Sequence, residues 1–151
     1  MEQDGMTPIP LDSPAGGATG LGPLAMAEPP LILLVEDDFM LRGSLAAVLQ
    51  SEGYRVESAA NALEALTRLT RPPKPSLILL DIMLPYMDGL EFRALQRAAP
   101  DMADIPVIVI TAVGLRPEVA AELDLRQTFF KPLERPRLLD AIRRHCTPRP
   151  G

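Results

Sequence analysis

Basic charge, cysteine and long apolar runs are all scarce in this chain. Its 151 residues contain one cysteine, Cys146. A single thiol excludes an internal disulfide framework and fits a reducing compartment, so a cytoplasmic location is expected. No apolar run approaches the roughly 18 residues needed to cross a membrane. The opening Met-Glu-Gln-Asp-Gly lacks the basic and apolar regions of a signal peptide. Lysine occurs twice against thirteen arginines. The net charge is −5, and the first 30 residues carry four acids (Glu2, Asp4, Asp12, Glu28) and no base. They hold −4 of the total, so the remainder carries −1. A near-neutral body argues against nucleic-acid binding driven by bulk charge. The one histidine, His145, adjoins Cys146, but neighbours on a helix point apart, which speaks against a His/Cys catalytic pair.

The first 30 residues also contain six prolines and five glycines. Such a stretch has no periodic apolar face to offset its ordering entropy, so residues 1–30 read as an unfolded tail. One domain is expected over residues 31–147, with a short tail at 148–151 and no room for an output domain after it.

Within 31–147, short apolar runs alternate with helical periods. Strands are predicted at Leu31–Val35, Tyr54–Ser58, Leu77–Leu80, Pro106–Ile110 and Thr128–Phe130. Helices fall between and after them. One carries Leu41, Leu45, Val48 and Leu49 inward and ends at Gly53. A second opens with an Asn61/Glu64 capping box and buries Leu63, Leu66 and Leu69. A third spans Asp88 to Ala99 with Asp88 as N-cap. Pro117–Leu123 forms a short fourth. Arg135–His145 forms the last, with Leu138, Leu139, Ile142 and Cys146 inward. The order is (βα)5, which demands a doubly wound, five-stranded parallel sheet with helices on both faces.

Two buried strands stop at acids. Leu31–Val35 runs into Glu36-Asp37-Asp38, and Ser76–Leu80 into Asp81. Sheets of this kind bind ligands at the carboxyl ends of their strands. Two carboxylates about 4 Å apart repel by about 1 kcal/mol in water and about 4 kcal/mol at an effective dielectric of about 20. A third acid raises the cost and calls for a cation. Lys131 supplies one charge; a divalent metal supplies two. Asp38 reads as a surface or capping residue.

Four motifs lie in order at these strand ends: Val-Glu-Asp-Asp (35–38), Leu-Asp-Ile-Met-Leu-Pro-Tyr-Met-Asp-Gly (80–89), Ile-Thr-Ala (110–112) and Phe-Lys-Pro (130–132). Together they resemble the receiver domain of bacterial two-component response regulators, over residues 31–146. The arginine-, alanine- and proline-rich composition agrees with a bacterial source. The resemblance implies a flavodoxin-like fold and a phosphoacceptor at Asp81. It implies Mg2+ held by Asp37, Asp81, Glu36 and the main-chain carbonyl of Met83. Lys131 would pair with a phosphoryl oxygen, and the Thr111 hydroxyl would donate to another. The Lys131–Pro132 bond is expected to be cis, as is common in the family. The implied partner is a histidine kinase or phosphotransfer protein, with an unnamed downstream protein target. The protein itself would be a monomer or weak homodimer. Nucleic acid and membrane are not implied.

Two departures from the family pattern stand out. The usual aromatic residue three positions before the lysine is Thr128 here. The stretch from Thr111 to Lys131 is short and lacks the Gly-Ala that normally ends the fourth helix. The 112–127 segment, rather than a rotating aromatic, is therefore expected to report phosphorylation. The residues two beyond Asp81 and Thr111, Met83 and Val113, are apolar and cannot orient an attacking water, which implies a long-lived phosphoryl group. Two other readings compete: a pseudo-receiver that binds partners without phosphorylation, and a phosphatase resembling the haloacid-dehalogenase group. The latter wants an acid at Met83 and a cap domain.

Overall fold

The computed structural model describes residues 28–125 and 127–147. The expected tail lies outside them except for Glu28–Pro30, and the C-terminal tail lies wholly outside. Five strands and five helices alternate: β1 (Leu31–Val35), α1 (Phe39–Ser51), β2 (Arg55–Ala59), α2 (Ala62–Leu69), β3 (Leu77–Asp81), α3 (Gly89–Ala98), β4 (Val107–Thr111), α4 (Pro117–Glu122), β5 (Gln127–Phe130) and α5 (Arg135–His145). The sheet is parallel throughout in the order β2-β1-β3-β4-β5. The chain turns outward after β1 and returns to place β3 on its other side. That reversal opens a crevice at the carboxyl ends of β1 and β3.

Three central strands, β1, β3 and β4, are buried at all five positions. Continuous Leu, Ile and Val runs suit strands covered on both faces. Alternate residues feed two cores. Ile32, Leu34, Leu77, Leu79, Ile108 and Ile110 pack with α1 and α5 through Leu45, Leu49, Leu138 and Ile142. Leu33, Val35, Ile78, Leu80, Val107 and Val109 pack with α2 and α3 through Ala65, Leu69 and Phe92.

Local chemistry sets the helix ends. Asp38 caps α1, accepting from Leu41 N at 3.1 Å. Gly53, at φ 98°, supplies the left-handed residue just beyond that helix. Asp88 and Glu91 form a reciprocal capping box on α3. At α2, Asn61 accepts from Glu64 N, but Glu64 reaches back to Ala60 N rather than to Asn61 N. The inward stripe of α2 also differs from the expected one. Ala62, Ala65 and Leu69 are buried, Leu66 is partly so, and Leu63 is exposed. Ala62 and Ala65 take the core-facing positions, which leaves Leu63 on the outer face.

Arg55 anchors the start of the described chain. Its main-chain N–H donates to Pro30 O at 2.9 Å, its Nε donates to Pro29 O, and it pairs with Glu28.

The α3–α4 contact is polar, and its α3 side buries Arg93 and Gln96. Arg93 Nε donates to Leu123 O at 2.8 Å and one terminal nitrogen to Asp124 O at 2.9 Å. Its other terminal nitrogen reaches Gln96 Oε1, while Gln96 Nε2 donates to Met102 O and Ile105 O. Arg97 adds a bond to Glu122 O at 2.6 Å. α3 thus holds the last carbonyls of α4, whose six residues include no buried one. Asp124, at φ 49°, turns the chain where a glycine is more usual.

Candidate functional site

Glu36, Asp81 and Lys131 meet in the crevice. Lys131 Nζ donates to Asp81 Oδ2 at 3.1 Å and lies 2.8 Å from Glu36 Oε1. Both carboxylates are sealed from solvent, at 0 and 2 % exposure, so the arrangement depends on their charges being compensated. Asp37 stands at the mouth, exposed. One carboxylate oxygen from each of Glu36, Asp37 and Asp81 lies within 4.8 Å of the other two.

The turns position these acids. Asp81 Oδ1 accepts from Met83 N at 3.0 Å, and Glu36 Oε2 accepts from Asp38 N at 3.0 Å. Gly89 allows α3 to start against the end of β3. A Cβ there would sit 2.6 Å from Asp81 O and 2.8 Å from Ile82 Cα, so only glycine fits without movement. Thr111 ends β4, fully buried, its Oγ1 accepting from Val113 N at 3.2 Å. Its carbonyl accepts from Lys131 N, which ties it to the lysine through the main chain. The Lys131–Pro132 bond is cis, as expected.

Burial raises the Glu36 pKa above the ordinary carboxylate range. The Lys131 ammonium and the Asp38 N–H pull the other way, and the Asp81 charge adds to the rise. For Lys131, desolvation lowers the pKa, yet the Glu36 and Asp81 carboxylates outweigh it and hold the ammonium above its usual value. Glu36 Oε1 has only the ion-pair contact. That oxygen is fully buried, with the Lys131 ammonium at 2.8 Å as its partner. Hard oxygen donors and excess negative charge suit a small divalent cation.

Sequence reading placed Glu36, Asp37, Asp81, Thr111 and Lys131 at one sheet edge, and all five lie there. Met83 adjoins them through its N–H, with its side chain exposed. Val113 is also open to solvent. Thr128 is half-buried on β5, Phe129 packs against the α5 side, and Phe130 is 54 % exposed. Phe130 pairs in register with Thr111. Arg42, which the sequence pattern did not single out, reaches the acidic turn from α1. Only its position four residues after the helix-capping Asp38 hinted at this.

A flavodoxin-like sheet with an acidic crevice and an opposing lysine at its switch point defines a receiver-type signalling fold. The family profile for the response regulator receiver domain matches residues 32–143, and the chain belongs to that family. It is 36 % identical over 116 residues to the Bacillus subtilis sporulation initiation phosphotransferase F, covering 76 % of this chain and 91 % of that one. It is 39 % identical over 114 residues to the response regulator MprA of Mycobacterium leprae, covering 74 % of this chain but spanning only 49 % of MprA. Among solved structures, it resembles the Thermotoga maritima response regulator TrrA in complex with Mg2+–BeF. The TM-score is 0.67 at 27 % identity, with 76 % of this chain and 97 % of that one covered. Among the described residues, no helix is long and apolar enough to cross a membrane.

Proposed function

We propose that the protein is a phosphoacceptor signalling module that takes a phosphoryl group onto Asp81 from a partner histidine kinase or phosphotransfer protein. The observation that carries this is the sealed Glu36–Lys131–Asp81 cluster with Asp37 at its mouth. The Asp81 carboxylate is the nucleophile. Asp37, Asp81, Glu36 and the Met83 carbonyl would hold Mg2+, which neutralises charge on the transferring group. Lys131 would move from its carboxylate pairing to a phosphoryl oxygen, and the Thr111 hydroxyl would turn to donate to another. The protein promotes only its own phosphorylation and dephosphorylation. It acts in the cytoplasm, as a monomer or weak homodimer, through phosphorylation-dependent protein binding or phosphorelay. The similarity to a phosphotransferase matched over most of its length favours the relay form. Near-neutral charge outside the first 30 residues argues against nucleic acid as a direct ligand of this domain.

The readout would run through residues 112–127. Thr128 offers no aromatic ring, and α4 is anchored mainly by polar bonds from α3. With Met83 and Val113 unable to orient a water, the phosphoryl group would decay slowly.

Incubation with acetyl phosphate and Mg2+ tests the chemistry. One base-labile phosphoryl adduct is expected per chain, absent in Asp81→Asn and slow to decay once the donor is removed. An unlabelled wild-type protein would indicate a pseudo-receiver, and multiple turnover of an added phosphate ester would indicate a phosphatase. Amide shifts recorded with and without a phosphoryl mimic test the readout; an unchanged 112–127 segment would refute it.

A further inference from the structure

Arg42 is placed where simple electrostatics disfavours it. It lies in the first turns of α1, whose amino-terminal end carries the positive pole of the helix dipole. It also borders a crevice suited to a divalent cation. Three carboxylates lie close in sequence, those of Glu36, Asp37 and Asp38, yet Arg42 forms no ion pair among the described residues. Instead one terminal nitrogen donates to Glu36 O at 2.8 Å and, more weakly, to Asp37 O at 3.3 Å. The guanidinium carbon lies 5.6 Å from the centroid of the exposed Phe39 ring, which covers one face of the group.

Those two carbonyls belong to consecutive peptides on either side of the Asp37 Cα. Holding both fixes the direction of the Asp37 side chain. This matters because, among the described residues, no hydrogen bond orients the Asp37 carboxylate itself. Glu36 is fixed independently, by the Asp38 N–H and Lys131, and Asp81 by Met83 N and Lys131. Asp37 is the one acid of the three whose placement depends wholly on the main chain.

We propose that Arg42 is a positioning residue that aims Asp37 into the metal crevice through its grip on the Glu36 and Asp37 carbonyls, and so sets the affinity for a divalent cation. This rests on the phosphoacceptor reading of the site but concerns only its metal-binding step. Charge and geometry predict opposite outcomes. If Arg42 acted by charge, removing it would tighten cation binding by a factor of a few. If it positions Asp37, removing it loosens binding, by about tenfold, as for other partners that orient metal ligands.

The experiment is Mn2+ titration of the full chain, with free Mn2+ followed by electron paramagnetic resonance, for wild type, Arg42→Gln and Arg42→Lys. Metal-free melting curves serve as a fold control. About tenfold weaker binding in Arg42→Gln is expected, with Arg42→Lys also weakened although it keeps the charge. Affinity in Arg42→Gln equal to or tighter than wild type overturns the proposal. A wild-type protein that binds no Mn2+ overturns the reading of the metal site, and this inference with it. If Arg42→Gln melts early, Arg42→Lys decides: wild-type affinity there refutes the positioning role.

Discussion

β1 and β3 are buried at all five positions, whereas β5 is buried at none. The first pair deliver Glu36 and Asp81 from the middle of a sheet packed on both faces. The second region, α4 with β5, lies at an open sheet edge: β5 pairs with β4 on one side only, and α4 is held by side-chain-to-carbonyl bonds from α3. A site whose acids must stay within 4.8 Å of one another benefits from a dense, unyielding base. A segment that reports the state of that site benefits from attachments that can be exchanged one at a time.

The largest expected effect lies on the dense side. Phe92 is fully buried in the core between the sheet and α2 and α3, and Phe92→Ala should cost about 3–5 kcal/mol by denaturant unfolding. Phe130→Ala, at the exposed edge, should stay within about 0.5 kcal/mol. Equal losses would erase the contrast. Next comes the polar clamp. Arg93→Met leaves the Leu123 and Asp124 carbonyls without their donor, at a cost of about 1–3 kcal/mol. Hydrogen exchange should quicken in residues 117–125 while Asp81 remains phosphorylatable. Loss of phosphorylation with unchanged exchange would reverse the roles assigned to the two regions.

The smallest effect is in the pH dependence and sharpens the comparison within the sheet. Glu36 has a raised pKa, so between about 4.5 and that raised value its native form binds more protons than the unfolded form. It therefore lowers stability as pH rises from about 4.5 through its raised value. Glu57, on edge strand β2, is lowered chiefly by its hydrogen bond from Arg68, with burial opposing. Its contribution is present above about 4.5 and is lost as pH falls through its depressed pKa. Metal-free melting curves should show both signs, with the Glu36 component gone in Glu36→Gln and diminished by Mg2+ at neutral pH. A Glu36→Gln profile that tracks wild type would remove burial of this acid as a source of strain.

Much of this was legible in sequence because it is local. An apolar run ending in an acid identifies a buried strand and its carboxyl edge, as at Leu80-Asp81. Asp38, Gly53 and Asp88 announce helix ends through bonds or dihedral angles that span only a few residues. What was hidden depends on partners distant in sequence or on rotation of a helix. Arg93 and Gln96 carry no signal in the sequence, since nothing nearby reveals that carbonyls some 30 residues on will satisfy Arg93. Leu63 fits a leucine stripe, yet Ala62 and Ala65 take the core-facing positions. Arg42 looks like an ordinary surface charge until the turn beneath it folds back.

Tryptophan is absent, and there are only two tyrosines. Tyr54 is enclosed, its hydroxyl donating to Cys146 O and its pKa pushed up to about 12, chiefly by burial. Tyr86 stands 89 % exposed, on a left-handed residue of the β3–α3 turn. Tyrosine absorption and emission therefore come from one phenol in water on the β3–α3 turn and another sealed against the end of α5. The molecule carries an optical indicator on the turn that follows Asp81 and a built-in reference beside Cys146, with no dye attached.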